Sequence, residues 1–160
     1  MNIEVYPDDN VVARKAAGII ADAARAAVAA RGRFVVAVSG GHTPWLMLRA
    51  LAADELPWQQ VHIAQVDERV APAADPDRNL AHLRASLLDH APLPPDHIHA
   101  MPVEAADLDR AAAQYASRYG TWRVRRRCST SFTSASDRTA TPHRWCPEIR
   151  SSTSRTRTWR

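Results

Sequence analysis

Residues 34–44 limit the fold of this chain more than any other stretch. Phe34-Val35-Val36-Ala37-Val38 has the length and β-branched content of a buried strand. It runs straight into Ser39-Gly40-Gly41-His42-Thr43-Pro44, after which Trp45-Leu46-Met47-Leu48-Arg49-Ala50-Leu51 reads as a helix. Thr43 is placed to N-cap that helix, and Pro44 suits its first position. A strand that passes through two glycines into a helix N-terminus makes an anion site. The free N–H groups of the first turn point outward, and residues without a Cβ let an anion approach the backbone. The same pattern also serves as a plain tight βα turn. A Walker A loop is excluded because no Gly-Lys-Ser/Thr follows, and a dinucleotide fingerprint because no third glycine is in place.

The flanking segments repeat the alternation of strand and helix. Asn2–Tyr6 alternates as a first strand, closed by Pro7-Asp8-Asp9-Asn10. Residues 11–30 form an Ala-rich helix with a weak apolar face at Ile19, Ala23, Ala26 and Ala27, stopped by Gly32. Residues 61–66 are a further strand that ends in Asp67-Glu68-Arg69. Helix 78–90 places Leu80, Leu83, Leu87 and Leu88 on one face, and a Pro-rich link leads to a short strand at His97–Met101. Asp107–Tyr119 is the last helix. Such alternation predicts an α/β fold, with a doubly wound, mostly parallel Rossmann-like sheet. Ligands of such sheets bind beyond the carboxyl ends of the strands, where both 39–44 and 67–69 lie.

Charge divides the chain in two. Residues 1–120 hold 11 Lys+Arg against 15 Asp+Glu, a net of −4, whereas residues 121–160 hold 10 Arg against 2 acids, a net of +8. The last segment also carries 15 Ser+Thr and no sustained apolar period, so it buries too little to offset its ordering entropy. The expected organisation is therefore an incomplete α/β domain over 1–119 and an irregular or disordered basic tail over 120–160. Cys128 and Cys146 are too far apart for a zinc knuckle or a redox pair. The Ala-rich run 16–30 is interrupted by Asp22 and Arg25, so neither a secretory nor a membrane segment is read, and a cytoplasmic protein is expected.

Asp67-Glu68-Arg69 alone fits an exposed, salt-bridged turn. Beside an anion cradle it fits recognition of a phosphorylated polyol. Arg69 could fork onto a phosphate or a developing oxyanion, and Asp67 could accept sugar hydroxyls or orient a water. Asn79 could donate to the same ligand or act as a local cap. His42 reads as a solvent-facing turn residue, and His62, His97 and His99 as structural. His97 and His99 share a strand face, but no nearby Cys, Asp or third His completes a metal site, so no metal is assigned.

Taken together, Val36–Pro44, Val66-Asp67-Glu68-Arg69-Val70, Asp75-x-x-Arg78-Asn79 and Leu93-Pro94-x-x-His97-Ile98-His99 closely resemble the 6-phosphogluconolactonase branch of the glucosamine/galactosamine-6-phosphate isomerase superfamily. The resemblance covers residues 1 to about 119, roughly the first half of a family chain. It implies hydrolysis of the ester of 6-phosphoglucono-δ-lactone in the pentose phosphate pathway, with no metal or organic cofactor. It makes Asp67 and Arg69 catalytic, and Ser39, Gly40, Gly41, Thr43, Glu68 and Asn79 substrate-binding. Family members supply a general-base histidine from a later Gly-x-Asp-Gly-His-Thr-Ala motif, which this chain lacks. The alternatives are a glucosamine-6-phosphate deaminase/isomerase-like enzyme, or a non-catalytic binder of phosphosugar or, through the Arg-rich tail, of nucleic acid.

The missing motif lies in the neighbouring reading frame. The last base of each codon can be joined to the first two of the next, with free third positions taken as G or C in keeping with an Arg- and Ala-rich, Lys-poor chain. Residues 128–150 then read LDLVHLGLGPDGHTASLVPGDP: an apolar strand, a glycine turn and the family histidine. Trp145 has a single codon, so its final G with the TG of Cys146 forces valine. The lost histidine codon straddles those of Ala140 and Thr141, and His143 is not its equivalent. The expectation is a frameshift, with one base lost between about Tyr119 and Arg127, and a truncated, inactive chain.

Overall fold

A computed structural model describes residues 3–121 and the two-residue strand at 144–145. Cys128, Cys146, His143 and most of the basic segment expected to be irregular lie outside the described residues.

Three parallel strands form the central sheet, in the order β1 (Phe34–Val38), β2 (Val61–Gln65), β4 (Ile98–His99). β1 and β2 pair along their whole length, from Phe34 beside Val61 to Val38 beside Gln65. β2 and β4 share only two rungs, Ile63 beside Ile98 and Ala64 beside His99. A second, antiparallel pair joins β3 (Glu68–Arg69) to β5 (Arg144–Trp145). The α/β class and parallel sheet expected from the sequence are present.

The period-two alternation of β1 and β2 turns Phe34, Val36, Val38, Val61 and Ile63 to one face. Against that face pack α1 (Asp9–Arg31), α2 (His42–Ala52) and α3 (Asn79–Leu83), which continues as a wider π-helical turn over Arg84–Leu88. Asp8 caps α1 by accepting from the Val11 amide, and Gly32 ends it in the left-handed region at φ 73°. α1 buries Ala13, Ala17, Ile20, Ala21, Ala24 and Ala27, whereas Ile19 is 63% exposed. The small-residue face is thus rotated from the expected one, because alanines lie closer to a neighbouring helix than Ile19 would allow. Leu48, Leu51, Ile63, Leu83 and Leu87 complete this core.

Of the first strand expected over 2–6, the described residues 3–6 are irregular, with Ile3 and Val5 exposed. Alternation alone does not make a strand, which needs a neighbouring edge to bond to. α4 (Leu108–Thr121) buries Ala111 and Tyr115, and Met101, Val103 and Tyr115 form a separate small cluster. Among the described residues, no helix is long and apolar enough to cross a membrane.

Candidate active site

β1 and β2 leave the sheet together. The Val66 amide donates to the Val38 carbonyl at 2.9 Å, one rung past the strands, so Ser39 and Asp67 emerge side by side. Ser39 Oγ donates to Asp67 Oδ1 at 2.9 Å. Asn79, at the start of α3, donates from Nδ2 to the Asp67 carbonyl at 3.1 Å and, more weakly, to Oδ2 at 3.4 Å. Asp67 is buried, with its carboxylate set between a hydroxyl and an amide. Asn79 reaches this position by lying on Gly40, where an added Cβ would come within 2.0 Å of Asn79 Oδ1 and 2.6 Å of its Cγ. The sequence reading gave both glycines to an approaching anion. The structure gives the open space at Gly40 to Asn79.

Gly41 does serve the turn as a glycine must. Its φ of 132° lies where other residues are strained, and it is the N-cap of α2. The helix therefore starts two residues earlier than expected, and Thr43 is not its cap. No side chain caps α2, and its backbone ladder begins with the Trp45 amide donating to Gly41 O at 3.1 Å. The amides of His42 and Thr43 have no intrahelical acceptor, and both side chains are exposed at the mouth of the turn. Trp45 stacks on His82 at a 3.9 Å centroid distance, which ties this end of α2 to α3.

Glu68 is the residue whose place the sequence did not reveal. It is fully buried, and its oxygens accept four hydrogen bonds. Oε1 takes the amides of Arg69 and Asn79, both at 2.8 Å, and Oε2 takes the Leu80 amide at 2.8 Å and Gln65 Nε2 at 2.9 Å. Arg78 stands at the N-cap of α3 with no capping bond of its own, so Glu68 caps this helix from eleven residues away. The available signal was an N-cap position held by an arginine, which has no acceptor to offer. Arg78 is itself buried, with Nε 3.7 Å from Glu68 Oε2 and Nη1 2.5 Å from Glu104 Oε1. With its oxygens so engaged, Glu68 ties the end of β2 to the start of α3. Arg69 is half-exposed and donates from Nη1 to the Asp77 carbonyl at 2.6 Å.

The structure therefore brings Ser39, Gly40, Gly41, Asp67 and Asn79 into one cluster, with Thr43 on its rim and Arg69 leaning on the loop at 75–77. The third histidine that the sequence did not show beside His97 and His99 is His62. Its ring centroid lies 3.8 Å from that of His97, and its Nδ1 lies 3.2 Å from His99 Nε2. Even so, among the described residues no group of three or more His, Cys, Asp or Glu is arranged to hold a metal ion.

Known proteins share this architecture. The profile of the family described as glucosamine-6-phosphate isomerases/6-phosphogluconolactonase matches residues 7–129. The 6-phosphogluconolactonase of Mycobacterium tuberculosis is 36% identical over 71% of this chain and 49% of its own length. The crystal structure of a 6-phosphogluconolactonase from Shewanella baltica superposes with a TM-score of 0.63 at 24% identity, over 73% of this chain and 50% of that one. A monomeric glucosamine-6-phosphate deaminase superposes with a TM-score of 0.67 at 19% identity, over 76% and 51% of the two chains. The two superpositions speak to the fold alone, and the chain spans about half the length of the curated relative it matches. A profile match over more than half of the chain, a parallel sheet and a glycine turn at the strand ends lead to one conclusion: this chain belongs to the glucosamine-6-phosphate isomerase/6-phosphogluconolactonase family.

Proposed function

We propose that residues 1–119 supply the sugar-phosphate-binding half of a cytoplasmic 6-phosphogluconolactonase, acting on 6-phosphoglucono-δ-lactone. The observation that carries this reading is the Ser39–Asp67–Asn79 cluster set beside the uncapped N-terminus of α2, at the carboxyl ends of two adjacent parallel strands. The His42 and Thr43 amides and the positive end of the helix dipole favour a phosphate at the turn. Ser39 and the Gly40–Gly41 backbone form its floor. Asp67, fixed between Ser39 and Asn79, offers carboxylate oxygens to the hydroxyls of the ring or to a water. Arg69, two residues beyond Asp67 in the chain, is the cation that would oppose the charge growing on the lactone oxygen as water adds. Glu68 contributes by position, because it anchors α3 and with it Asn79.

Lactone hydrolysis also needs a base for the attacking water, and an imidazole with a pKa near neutrality suits that task. We read the base as the histidine of the GPDGHTA segment encoded one frame away from residues 128–150, so that this chain binds but does not hydrolyse. A deaminase/isomerase is the second reading, because the matched family also includes glucosamine-6-phosphate isomerases. Use of the basic segment to bind nucleic acid is the third.

Sequencing of the DNA across codons 115–130 tests the frame, and an uninterrupted reading there removes it. A lactonase assay on the 160-residue chain and on a frame-restored chain tests the chemistry. Hydrolysis is expected only in the restored protein. Turnover by the 160-residue chain overturns the argument for a missing base, and turnover of glucosamine-6-phosphate in place of the lactone selects the second reading.

A further inference from the structure

Away from the strand ends of the candidate site, the seam between β2 and β4 is built in an unusual way. The two strands share two rungs, and beyond Ala64 the backbone of Gln65 is bonded by a side chain. The Tyr115 hydroxyl accepts from the Gln65 amide at 3.0 Å and lies 2.9 Å from the Gln65 carbonyl and 3.1 Å from the His99 carbonyl, to either of which it can donate. α4 is thus docked by a phenol inserted where the third rung would be. Next to this anchor, a shallow cleft lined by Ala100, Pro102, Gln114, Tyr115 and Arg118 separates α4 from the chain after β4.

The half-buried His62, His97 and His99 are gathered on the same seam. His97 donates from Nδ1 to the Val61 carbonyl at 3.2 Å. His62 Nδ1 and His99 Nε2, 3.2 Å apart, share one proton: one nitrogen donates and the other must accept. A further proton on the acceptor replaces that bond with two facing cations. The charged groups that act on the pair are Arg33 ahead of β1, Asp96 ahead of β4, His97, and Arg118 on α4. Asp96 alone favours protonation.

We propose that the His62–His99 pair, with His97 stacked on it, is an acid-sensitive latch for α4: neutral imidazoles let the helix dock on the β2–β4 seam, and protonated ones repel Arg118 and release it. Burial first, then His62, Arg118 and His97, hold the His99 imidazole down to about 4. Burial, His97 and Arg33 lower that of His62. Both folded values lie below that of an unfolded histidine. The stability they represent is therefore complete above about pH 6.5 and is lost as pH falls toward the folded values. Release also reaches the candidate site. Without the phenol the Gln65 backbone loses these two bonds, and the Gln65 side chain is the one that bonds Glu68 Oε2 and the Met101 amide.

Native-state amide exchange of the 160-residue chain at pH 7.0 and pH 4.5, corrected for intrinsic rates, tests the latch. Protection over 108–118 is expected to fall by about tenfold or more while that of α1 holds. In a His62→Gln/His99→Gln variant, α4 protection is expected to be the same at both pH values. Equal α4 protection at both pH values in the unsubstituted chain overturns the proposal, as does an equal fall in the variant. Should the double variant not fold, titration of the imidazole carbon-bound protons of the unsubstituted chain decides. Midpoints for His62 and His99 below 6 that coincide with loss of the α4 signals support the latch, and midpoints at or above 6.5 overturn it.

Discussion

The two seams of the same three-stranded sheet are held in opposite ways. Between β1 and β2 the ladder is complete and extends by one rung to the Val66 amide, after which a buried network of Ser39, Asp67, Asn79 and Glu68 takes over. Between β2 and β4 the ladder stops after two rungs, and a tyrosine hydroxyl and a set of half-buried imidazoles do the rest. In the first seam Glu68 takes four bonds of 2.8–2.9 Å from backbone and side-chain amides, and Asp67 is held by Ser39 and Asn79. The second rests on a phenol and on imidazoles, two of which, His62 and His99, are held toward their neutral form by burial. The contrast teaches that a small parallel sheet can close one seam with a full ladder and the next with side chains.

The sharpest way to break this contrast is to remove Glu68. Glu68→Ala deletes four acceptor contacts and leaves buried Arg78 with Glu104 as its remaining ion-pair partner among the described residues, which is expected to cost about 3–5 kcal/mol in urea unfolding. A loss under about 1 kcal/mol would show that the first seam is not held from its centre. Next comes Gly40→Ala, where the new methyl must displace the Asn79 amide. A loss of about 2–3 kcal/mol is expected, with the amide signals of Ser39 and Asp67 shifted in NMR spectra. Unchanged spectra would mean that Asn79 is not lodged there.

On the second seam, Tyr115→Phe keeps the ring and removes the hydroxyl that serves the Gln65 backbone. The expected loss is about 1–2 kcal/mol, with faster exchange confined to α4 and β4. Exchange that rises equally across β1 would erase the distinction between the seams. The smallest effect belongs to Arg69→Ala. Its half-exposed contact with Asp77 predicts less than about 1 kcal/mol of stability, measured by thermal unfolding. A larger loss would make Arg69 a structural residue, whereas a small one leaves it free for work at the ligand.

The pattern of β1, the turn and α2 was legible because period, length and glycine act locally. The α/β class followed from the same local signals repeated along the chain. What could not be read is where distant residues meet. That Asn79 would fill the space above Gly40, or that Glu68 would cap a helix eleven residues on, depends on how α3 folds back over the strand ends, and neither partner carries a mark of the other. Three consecutive charges at 67–69 looked alike in sequence and proved to be a held carboxylate, a buried keystone and a half-exposed cation. The alternation at 2–6 misled for a related reason: it states which residues would share a face without supplying a strand to pair with.

The close seating of Asn79 on Gly40 has a consequence for the history of the family. Position 40 cannot drift while Asn79 stays, because a side chain there evicts the amide. A descendant that gains even a methyl group at 40 must at once find another way to steady Asp67, so the two positions should be inherited as a unit. Gly41 resists change on its own account, through its φ of 132°, whereas a change at 40 requires two steps taken together.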